Sequence, residues 1–181
     1  MQALIELMRA HRYESITVQQ ITDHADVGRS TFYAHFTDKD DLLVDGVRGL
    51  VDSLEANGAG KSGPYPSLTL FHHVGDNVDL YLVMARGRSL ALFLNALHDE
   101  ITVKLTDHLT ARLPPPAVPL VPIPLLAAMT ASMLITAMRS WLEAGATEPA
   151  EQVDRAFHIA ADAAVRAGLG QANVGGSHLV G

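Results

Sequence analysis

Apolar residues recur every three to four positions along most of this 181-residue chain, and this helical period is the feature that most restricts its fold. No sustained alternation of apolar and polar residues, bounded by turn residues, indicates a strand. The apolar share of 48% and the charged share of 18% are ordinary for a chain that buries a core. The sequence therefore predicts an all-α protein of about nine helices.

Short helical segments fill the beginning of the chain. The first helix is predicted to end near His11, and Thr17, with Gln20 three residues later, has the spacing of a capping box that opens a second helix. A third helix is expected from about Gly28 to Ala34. Three short helices with a tight turn between the second and third are typical of a helix-turn-helix, which reads the major groove of DNA. The motif is expected over about residues 17 to 36.

The predicted third helix has two chemically different sides. We expect Val27, Phe32 and Phe36 to anchor it against the first two helices. The other side presents hydrogen-bonding side chains suited to base edges and phosphate oxygens: Arg29, Ser30, Thr31, Tyr33 and His35.

A fourth helix is expected to follow at once and to continue to about Ala56. Asp38 is its predicted N-cap, and Asp40 and Asp41 suit the positive end of its dipole. Lys39 lies at the same end, where a cation and free helix N–H groups both favour phosphate.

These residues resemble the N-terminal domain of TetR-family transcriptional regulators over about residues 3 to 48. The TFYAHF run with a lysine three residues later is the most distinctive part. The resemblance is carried by Ile16-Thr17-Val18, Ile21, Ala25, Val27-Gly28, Thr31-Phe32-Tyr33, His35-Phe36, Lys39 and Leu42-Leu43. It implies a homodimeric DNA-binding protein, usually a repressor, whose C-terminal helices hold a small-molecule pocket.

The resemblance also implies particular DNA contacts. Thr17 and Gln19 would touch the backbone or groove edge, and Lys39 would hold phosphate. The residues that would read or flank bases are Arg29, Ser30, Thr31, Tyr33 and His35.

Two positions depart from the family pattern. The chain opens inside the first helix, without the preceding and often basic residues that the family usually has, so DNA affinity is expected to be reduced. Asp26 occupies the turn position that is commonly glycine, and aspartate tolerates the left-handed conformation better than most residues.

Beyond a Gly- and Pro-rich segment after residue 56, helices are expected at about 67–75, 77–86, 88–111, 124–144 and 149–167. The runs LFHHVGDNVDLYLVM and MLITAMRSWLEAGATEPAEQV resemble a common C-terminal variant of the same family. We therefore expect a DNA-binding domain at 1–48, an effector-binding and dimerisation domain at 49–168, and a flexible tail at 169–181.

The last two predicted helices favour a subunit interface. The eighth is apolar on nearly all sides and the ninth has an alanine-rich face, so two copies could form a four-helix bundle across a two-fold axis. Such a homodimer would hold its two reading helices roughly 34–36 Å apart and would bind an inverted-repeat operator.

A pocket for an unknown small-molecule effector is expected among the fourth to eighth helices. Its predicted lining is apolar with a few polar points: Phe71, His72, Tyr81, Met84, Phe93, Met129, Met133 and Trp141.

Other functions have weaker support in the sequence. The absence of cysteine excludes disulfides, cysteine-ligated zinc and thiol nucleophiles. GAGKSG at 58–63 lacks the upstream glycine of a phosphate-binding loop, the nine histidines lack metal-binding helical spacing, and no G-x-S-x-G elbow occurs. We therefore expect no catalytic residue, cofactor or metal.

The uncharged stretch from Leu113 to Met138 raises the question of a membrane span. Prolines break its first half, and the remainder from Leu125, of 14 residues, is shorter than a span requires. The sequence therefore predicts a buried helix in a cytoplasmic protein, and PPPAVPLVPIP is expected to be a connector.

Two alternatives remain open. One is a small-molecule-binding protein of the same fold whose shortened N-terminus has weakened or abolished DNA binding, and the less favoured one is a helical enzyme. The net charge of −7 argues mildly against nucleic acid, although a small basic face is enough to bind it.

Overall fold

A computed structural model describes residues 1–58, 67–113 and 117–171, and these are helical with no strand among them. The helices are α1 Gln2–Ala10, α2 Val18–His24, α3 Arg29–Tyr33, α4 Lys39–Gly58, α5 Ser67–Asp76, α6 Val78–Met84, α7 Ser89–Arg112, α8 Ile123–Glu143 and α9 Ala150–Gly168. A 3-10 helix, Tyr13–Ser15, lies between α1 and α2. The all-α prediction is confirmed, and the described helices begin and end close to the predicted bounds.

Local capping fixes the ends of the first helices. The Thr17 hydroxyl accepts the Gln20 N–H at 3.2 Å, and the Gln20 side chain accepts the Thr17 N–H at 2.8 Å, so the predicted capping box is present. Asp38 accepts the N–H groups of Asp40 and Asp41 at 2.8 and 2.9 Å, as expected of the N-cap of α4. Asp26 adopts the left-handed conformation expected of it, with φ of +52°.

The core of the first three helices is built on Phe32. Its side chain is buried with Leu4 and Ile21, and its ring lies 5.5 Å from that of Phe36, which is partly buried. The prediction for Val27 is wrong, because its side chain is 44% exposed. Val27 precedes the cap Gly28 and lies in the turn, so the spacing of a helical face does not apply to it.

The C-terminal helices form the larger part of the core. α8 packs between α7 and α9, α5 packs on α9, and α4 lies along α7. Three ion pairs join α4 and α7, with Arg48 at 3.0 Å from Glu100 and Lys104 at 2.7 Å from Asp52 and 2.8 Å from Glu55. The N-terminal helices are attached to this body chiefly through α4 and α6.

The length of α8 bears on the membrane-span argument. The helix has 21 residues, close to the predicted range of 124–144, and it is long and apolar enough to cross a membrane, so the argument that only the 14 residues from Leu125 could span is wrong. Pro122 and Pro124 lie at its N-cap and first turn, where proline needs no backbone N–H partner. Leu134, Met138 and other residues of α8 are buried against α7 and α9, as in the core helix that we predicted.

Three predictions concern residues that the structure does not describe. They are the phosphate-loop look-alike at 58–63, of which only residue 58 is described, the prolines at 114–116, and the tail from residue 172 onward.

Candidate functional site

The outer side of α3 presents the predicted DNA-reading side chains to solvent. All five are exposed, and none of them is hydrogen-bonded to another side chain of the described residues: Arg29, Ser30, Thr31, Tyr33 and His35. We call this set the reading surface. A set of free donors and acceptors on one short helix is what base edges and phosphates require.

Tyr33 is the largest group of the reading surface, with 51% of its surface exposed. The edge of its ring packs at 86° against the buried ring of Phe32, with 5.4 Å between the ring centres. Edge-to-face contact orients an aromatic ring. The buried residue of α3 therefore positions the exposed residue beside it.

Thr17 and Gln19 are exposed at the start of α2. The Thr17 hydroxyl is occupied in the capping box, and the amide of Gln19 donates to the carboxylate of Asp23 one turn later. The DNA contacts of both residues therefore stay predictions. A contact from the Gln19 amide to DNA requires this amide to release the carboxylate of Asp23.

Lys39 has a different environment from the one expected. Its ammonium donates to the carbonyls of Tyr13 and Ile16 at 2.7 Å and of Glu14 at 3.1 Å, and it lies 4.7 Å from the centre of the Tyr13 ring. An ammonium has three donors, and all three are used. Burial lowers the pKa of Lys39. The structure thus places Lys39 as a cap on the 3-10 helix rather than as a free phosphate ligand.

A polar cluster joins the helix-turn-helix to the turn between α6 and α7. The Tyr13 hydroxyl donates to Asp40 at 2.6 Å, Arg88 approaches the same carboxylate at 2.6 Å, and Glu14 accepts the backbone N–H of Arg88 at 2.9 Å. We call these residues, together with Lys39, the junction cluster. No site was predicted from the sequence for Tyr13, Glu14 or Arg88.

Charge and burial shape the junction cluster. Burial pushes the pKa of Asp40 up, but the hydrogen bonds from Tyr13 and Arg88 outweigh it and hold that pKa below its usual value. Burial and the adjacent Asp40 raise the pKa of Tyr13. Gly87 allows the close approach, because a Cβ there would lie 2.5 Å from a Glu14 carboxylate oxygen.

A second attachment lies between α1 and α6. Arg9 donates to the side-chain oxygen of Asn77 at 3.2 Å, and the Asn77 amide donates to the carbonyl of His73 at 3.0 Å. The junction cluster and this contact together tie the end of α1 and the 3-10 helix after it to the C-terminal helices.

The predicted ligand-binding residues do not converge on one cavity. Phe71 and Trp141 pack edge to face in the core, 5.7 Å between ring centres, and Met133 is partly buried against that core. His72 is exposed and lies 3.2 Å from Glu151, and Met129 is 52% exposed. The common pocket predicted for these residues is therefore wrong, because apolar and aromatic types serve a core as readily as a pocket.

The remaining predicted residues, Tyr81, Met84 and Phe93, do line a cavity of about 660 Å³. The cavity lies between α1, α4, α5, α6 and α7, so both parts of the molecule contribute to its wall. His73 and Arg9 also line it, and the sequence analysis missed both. We call it the seam cavity.

One cluster has the residue types of a hydrolytic triad. Ser67 is hydrogen-bonded to the ring of His158 at 2.9 Å and donates to Asp154. Ser67 has no exposed surface, so no substrate reaches its hydroxyl in this arrangement. The cluster joins the start of α5 to α9. Within the described ranges, no group of acidic and histidine side chains is placed to hold a metal ion.

An apolar face is left open on α8 and α9. Leu125 and Met129 are about half exposed on α8, and Ile159 is 76% exposed on α9. Four small residues of α9 continue this face: Ala156, Ala160, Ala163 and Ala167. Small side chains on one face of a helix allow a second helix to approach closely.

Comparison with known proteins gives a family for the first part of the chain. Residues 1–45 match the family of bacterial regulatory proteins described as the tetR family. No curated protein sequence matches the chain.

Solved structures match over nearly the whole length. A TetR-family transcriptional regulator of Syntrophomonas wolfei str. Goettingen, itself described as putative, has 15% identity and a TM-score of 0.61, over 96% of this chain and 94% of that one. The dihydroxyacetone kinase operon activator DhaS has 17% identity and a TM-score of 0.58, over 91% and 93%. The fatty acid degradation regulator FadR of Bacillus halodurans has 15% identity and a TM-score of 0.55, over 88% and 90%. At these identities the likeness is one of fold.

Proposed function

We propose that the chain, whose residues 1–45 match the tetR family, is a DNA-binding transcriptional regulator that acts as a ligand-responsive homodimer on a palindromic operator. The proposal divides the chain into a DNA-binding part at about 1–48, an effector-binding and dimerisation part at 49–168, and a tail from 169. α4 runs through the boundary between the first two parts, so it is the element that links them.

The observation that carries the DNA-binding role is the reading surface. Five adjacent side chains of α3 and its C-terminal end are exposed with free hydrogen-bonding groups, while Phe32 on the other side is buried. We propose that Arg29, Ser30, Thr31, Tyr33 and His35 read or flank bases, and that Thr17 and Gln19 contact the backbone or groove edge. Lys39 is not among the proposed phosphate ligands, because its ammonium is bound to three backbone carbonyls.

The open face of α8 and α9 supports the proposed homodimer. An apolar face of this kind is usually covered by a partner, and the same face on two copies is self-complementary across a two-fold axis. A dimer places two copies of α3 roughly one DNA turn, 34–36 Å, apart and so favours an inverted repeat. Met129, first expected to line the pocket, belongs to this face.

We propose repression as the outcome of DNA binding, because that is the usual role of proteins with this N-terminal domain. The structural neighbour DhaS is named as an operon activator, so the sign of regulation needs its own measurement. A reporter driven by the selected operator, with and without the regulator, supplies it. Lower expression with the regulator supports repression, and higher expression overturns it.

The DNA-binding role is tested with the purified full-length chain. Genomic fragments retained at low salt are sequenced, and the shared sequence is placed in a labelled duplex for an anisotropy titration. We expect an inverted repeat that is bound by a dimer, with affinity falling as salt rises. Failure to retain any fragment at low salt would contradict the proposal.

The dimer face has a matched test in two exposed apolar residues. Ile159→Glu places a charge in the proposed face, whereas Val103→Glu places one on the exposed side of α7, where Val103 is 59% exposed. Light scattering should show a monomer for the first variant and a dimer for the second. A dimer that survives Ile159→Glu, or dissociates equally in both variants, contradicts the proposed face.

A same-fold small-molecule-binding protein with little DNA binding is the second candidate. The state of Lys39 favours it, because the ammonium expected to hold phosphate is fully engaged with backbone carbonyls. Tight binding of a small molecule, without retention of any duplex at low salt, would support this candidate over the regulator.

A further inference from the structure

We propose that the seam cavity binds an amphipathic monoanion, whose apolar body fills the cavity and whose single carboxylate-like group meets Arg9. This inference deepens the proposed function and rests on it, since it names the site and the chemical class of the effector. The sequence analysis placed the pocket wholly among the fourth to eighth helices. The seam cavity instead includes a wall from α1, the first helix of the DNA-binding part.

The size and the lining of the cavity suit a small apolar molecule. Its volume of about 660 Å³ lies within the range of ligand sites in proteins. Apolar side chains from four helices form most of its wall: Ile5, Met8, Leu43, Val47, Leu80 and Phe93. The body of a ligand there would leave water for an apolar surface, which is the main source of affinity in such sites.

Polar groups gather where α1 meets α6. Arg9 is hydrogen-bonded to Asn77, Asn77 is hydrogen-bonded to the carbonyl of His73, and the His73 ring lies 6.3 Å from the ring of Tyr81. All four residues line the seam cavity. These contacts link the four residues to one another where α1 meets α6.

Tyr81 brings a hydroxyl to the cavity wall. Its residue surface is 3% exposed, and its hydroxyl makes no hydrogen bond within the described residues, although it is not one of the fully buried polar atoms without a partner. The partly buried His73 ring likewise has no hydrogen bond to the described part of the chain. Both groups are therefore free to hydrogen-bond to an acceptor on a ligand in the cavity.

Two glycines in the middle of α4 have different effects on the cavity. Gly46 and Gly49 both line it, although glycine lowers helix stability by about 1 kcal/mol relative to alanine. A Cβ on Gly49 would have no atom within 4 Å, so the position faces open space. A Cβ on Gly46 would overlap the side chain of Met1, so this glycine allows α1 to lie close to α4.

The charges of the lining select the sign of the ligand. Arg9 is the cation of the lining, and Asp45 is its anion. Asp45 lies 3.9 Å from Arg48, which also pairs with Glu100 at 3.0 Å, whereas Arg9 is hydrogen-bonded to the neutral Asn77 and has no carboxylate partner among the described residues. Burial lowers the pKa of His73, so this ring is neutral at neutral pH and adds no charge. An anionic group on the ligand would therefore give the Arg9 guanidinium a charged partner.

A ligand in this position touches both parts of the molecule. It would contact α1 through Arg9 and Met8, and α6 through Tyr81 and Leu80. A ligand shifts a conformational equilibrium only by binding one state better than the other. Two states that differ in the position of α1 also differ in the size of the seam cavity. A ligand that fills the cavity would therefore bind one of these states more tightly than the other.

The test measures binding of decanoate and of decanol to the full-length protein by calorimetry, without DNA. Decanoate should bind at one site per chain and at least about tenfold more tightly than decanol, since a charge-assisted hydrogen bond is worth at least one decade of affinity. Equal binding of the two probes, or no binding of decanoate, overturns the proposed class.

Matched variants locate the site. Gly49→Leu fills open space in the cavity and should abolish binding, whereas Ala56→Leu adds the same side chain to an exposed position of α4 and should not change it. Arg9→Gln should weaken decanoate by about tenfold and leave decanol unchanged, whereas Arg12→Gln should change neither. Unchanged decanoate binding in Gly49→Leu overturns the site.

Tyr81→Phe keeps the ring and removes only the hydroxyl, so it guards against loss of folding as an explanation. It should weaken decanoate by several-fold at an unchanged or higher thermal midpoint, because no hydrogen bond within the described chain is lost. Unchanged affinity overturns the role of Tyr81. Operator binding by the same proteins is measured separately, so failure of DNA binding and failure of the cavity are distinguishable.

Discussion

The reading surface and the junction cluster carry the same kinds of side chain and use them in opposite ways. Arg29 and Tyr33 on α3 are exposed and have no side-chain partners among the described residues. Lys39 and Tyr13 belong to the junction cluster, and all the hydrogen-bond donors of their side chains are bound within the protein. The difference shows that residue type does not decide whether a cation or a phenol is available to DNA. The availability of carbonyls and carboxylates around it decides this.

The largest expected effect concerns the residue that supports the reading surface. Phe32→Ala should lower the free energy of unfolding by about 3–4 kcal/mol, because it removes a buried ring and leaves a cavity. DNA binding should be lost with it, since the ring of Tyr33 packs on Phe32. Urea unfolding followed by circular dichroism gives the free energy. A loss below about 1 kcal/mol would mean that α3 is held by other contacts.

The next effect separates the two regions directly. Lys39→Gln should lower the free energy of unfolding by about 2–3 kcal/mol, because carbonyls of Tyr13, Glu14 and Ile16 lose a charged donor. Arg29→Ala is the matched control and should change stability by less than about 0.5 kcal/mol. If Lys39→Gln leaves stability unchanged and weakens only DNA binding, the ammonium is a phosphate ligand and the comparison fails.

Arg88 tests how strongly the junction cluster holds the two parts together. Arg88→Ala should lower the thermal midpoint only slightly, since the guanidinium is exposed and its ion pair with Asp40 is screened by solvent. Operator affinity should respond as well, because the turn between α6 and α7 loses its side-chain tie to Asp40. Arg88→Gln is the control, because it removes the charge but keeps a polar side chain. An unchanged operator affinity in both variants would separate the junction from DNA binding.

The smallest effect is a dependence on pH. The folded pKa of Asp40 lies below its usual value, so the carboxylate contributes stability above about pH 4, and this contribution is lost as the pH falls through the folded pKa. Glu6 and Glu14 also have lowered pKa values and titrate in a similar range. The difference between the wild type and Asp40→Asn therefore isolates Asp40. Urea unfolding between pH 3 and 7 should show a shallower acid decline in the variant, and parallel curves would contradict the assignment.

Local features of this fold were predictable from the sequence. The capping box at Thr17, the cap at Asp38 and the left-handed Asp26 depend on residues within three positions of one another, so spacing alone indicates them. Helix bounds followed from periodicity for the same reason. The exposed side of α3 was predicted correctly because one buried residue, Phe32, fixes the orientation of a helix of five residues.

Contacts between distant segments were not predictable. Arg88 and Glu14 are separated by 74 positions, and Lys39 and Ile16 by 23, so no local pattern relates them. The prediction of the ligand-binding residues was wrong for another reason. Phe71 and Trp141 have the composition of a pocket lining, but they fill each other's space in the core. Only the packing distinguishes a filled space from an open one.

The central claim is that the free side chains of α3 read DNA while the bound side chains behind them support the fold. The most direct measurement is a competition titration of wild type, Arg29→Ala and Tyr33→Ala on the selected operator and on a scrambled duplex. We predict losses of about 1–3 kcal/mol on the operator and little change on the scrambled duplex for both variants. Equal losses on the two duplexes, or no operator binding by the wild type at low salt, would contradict the claim.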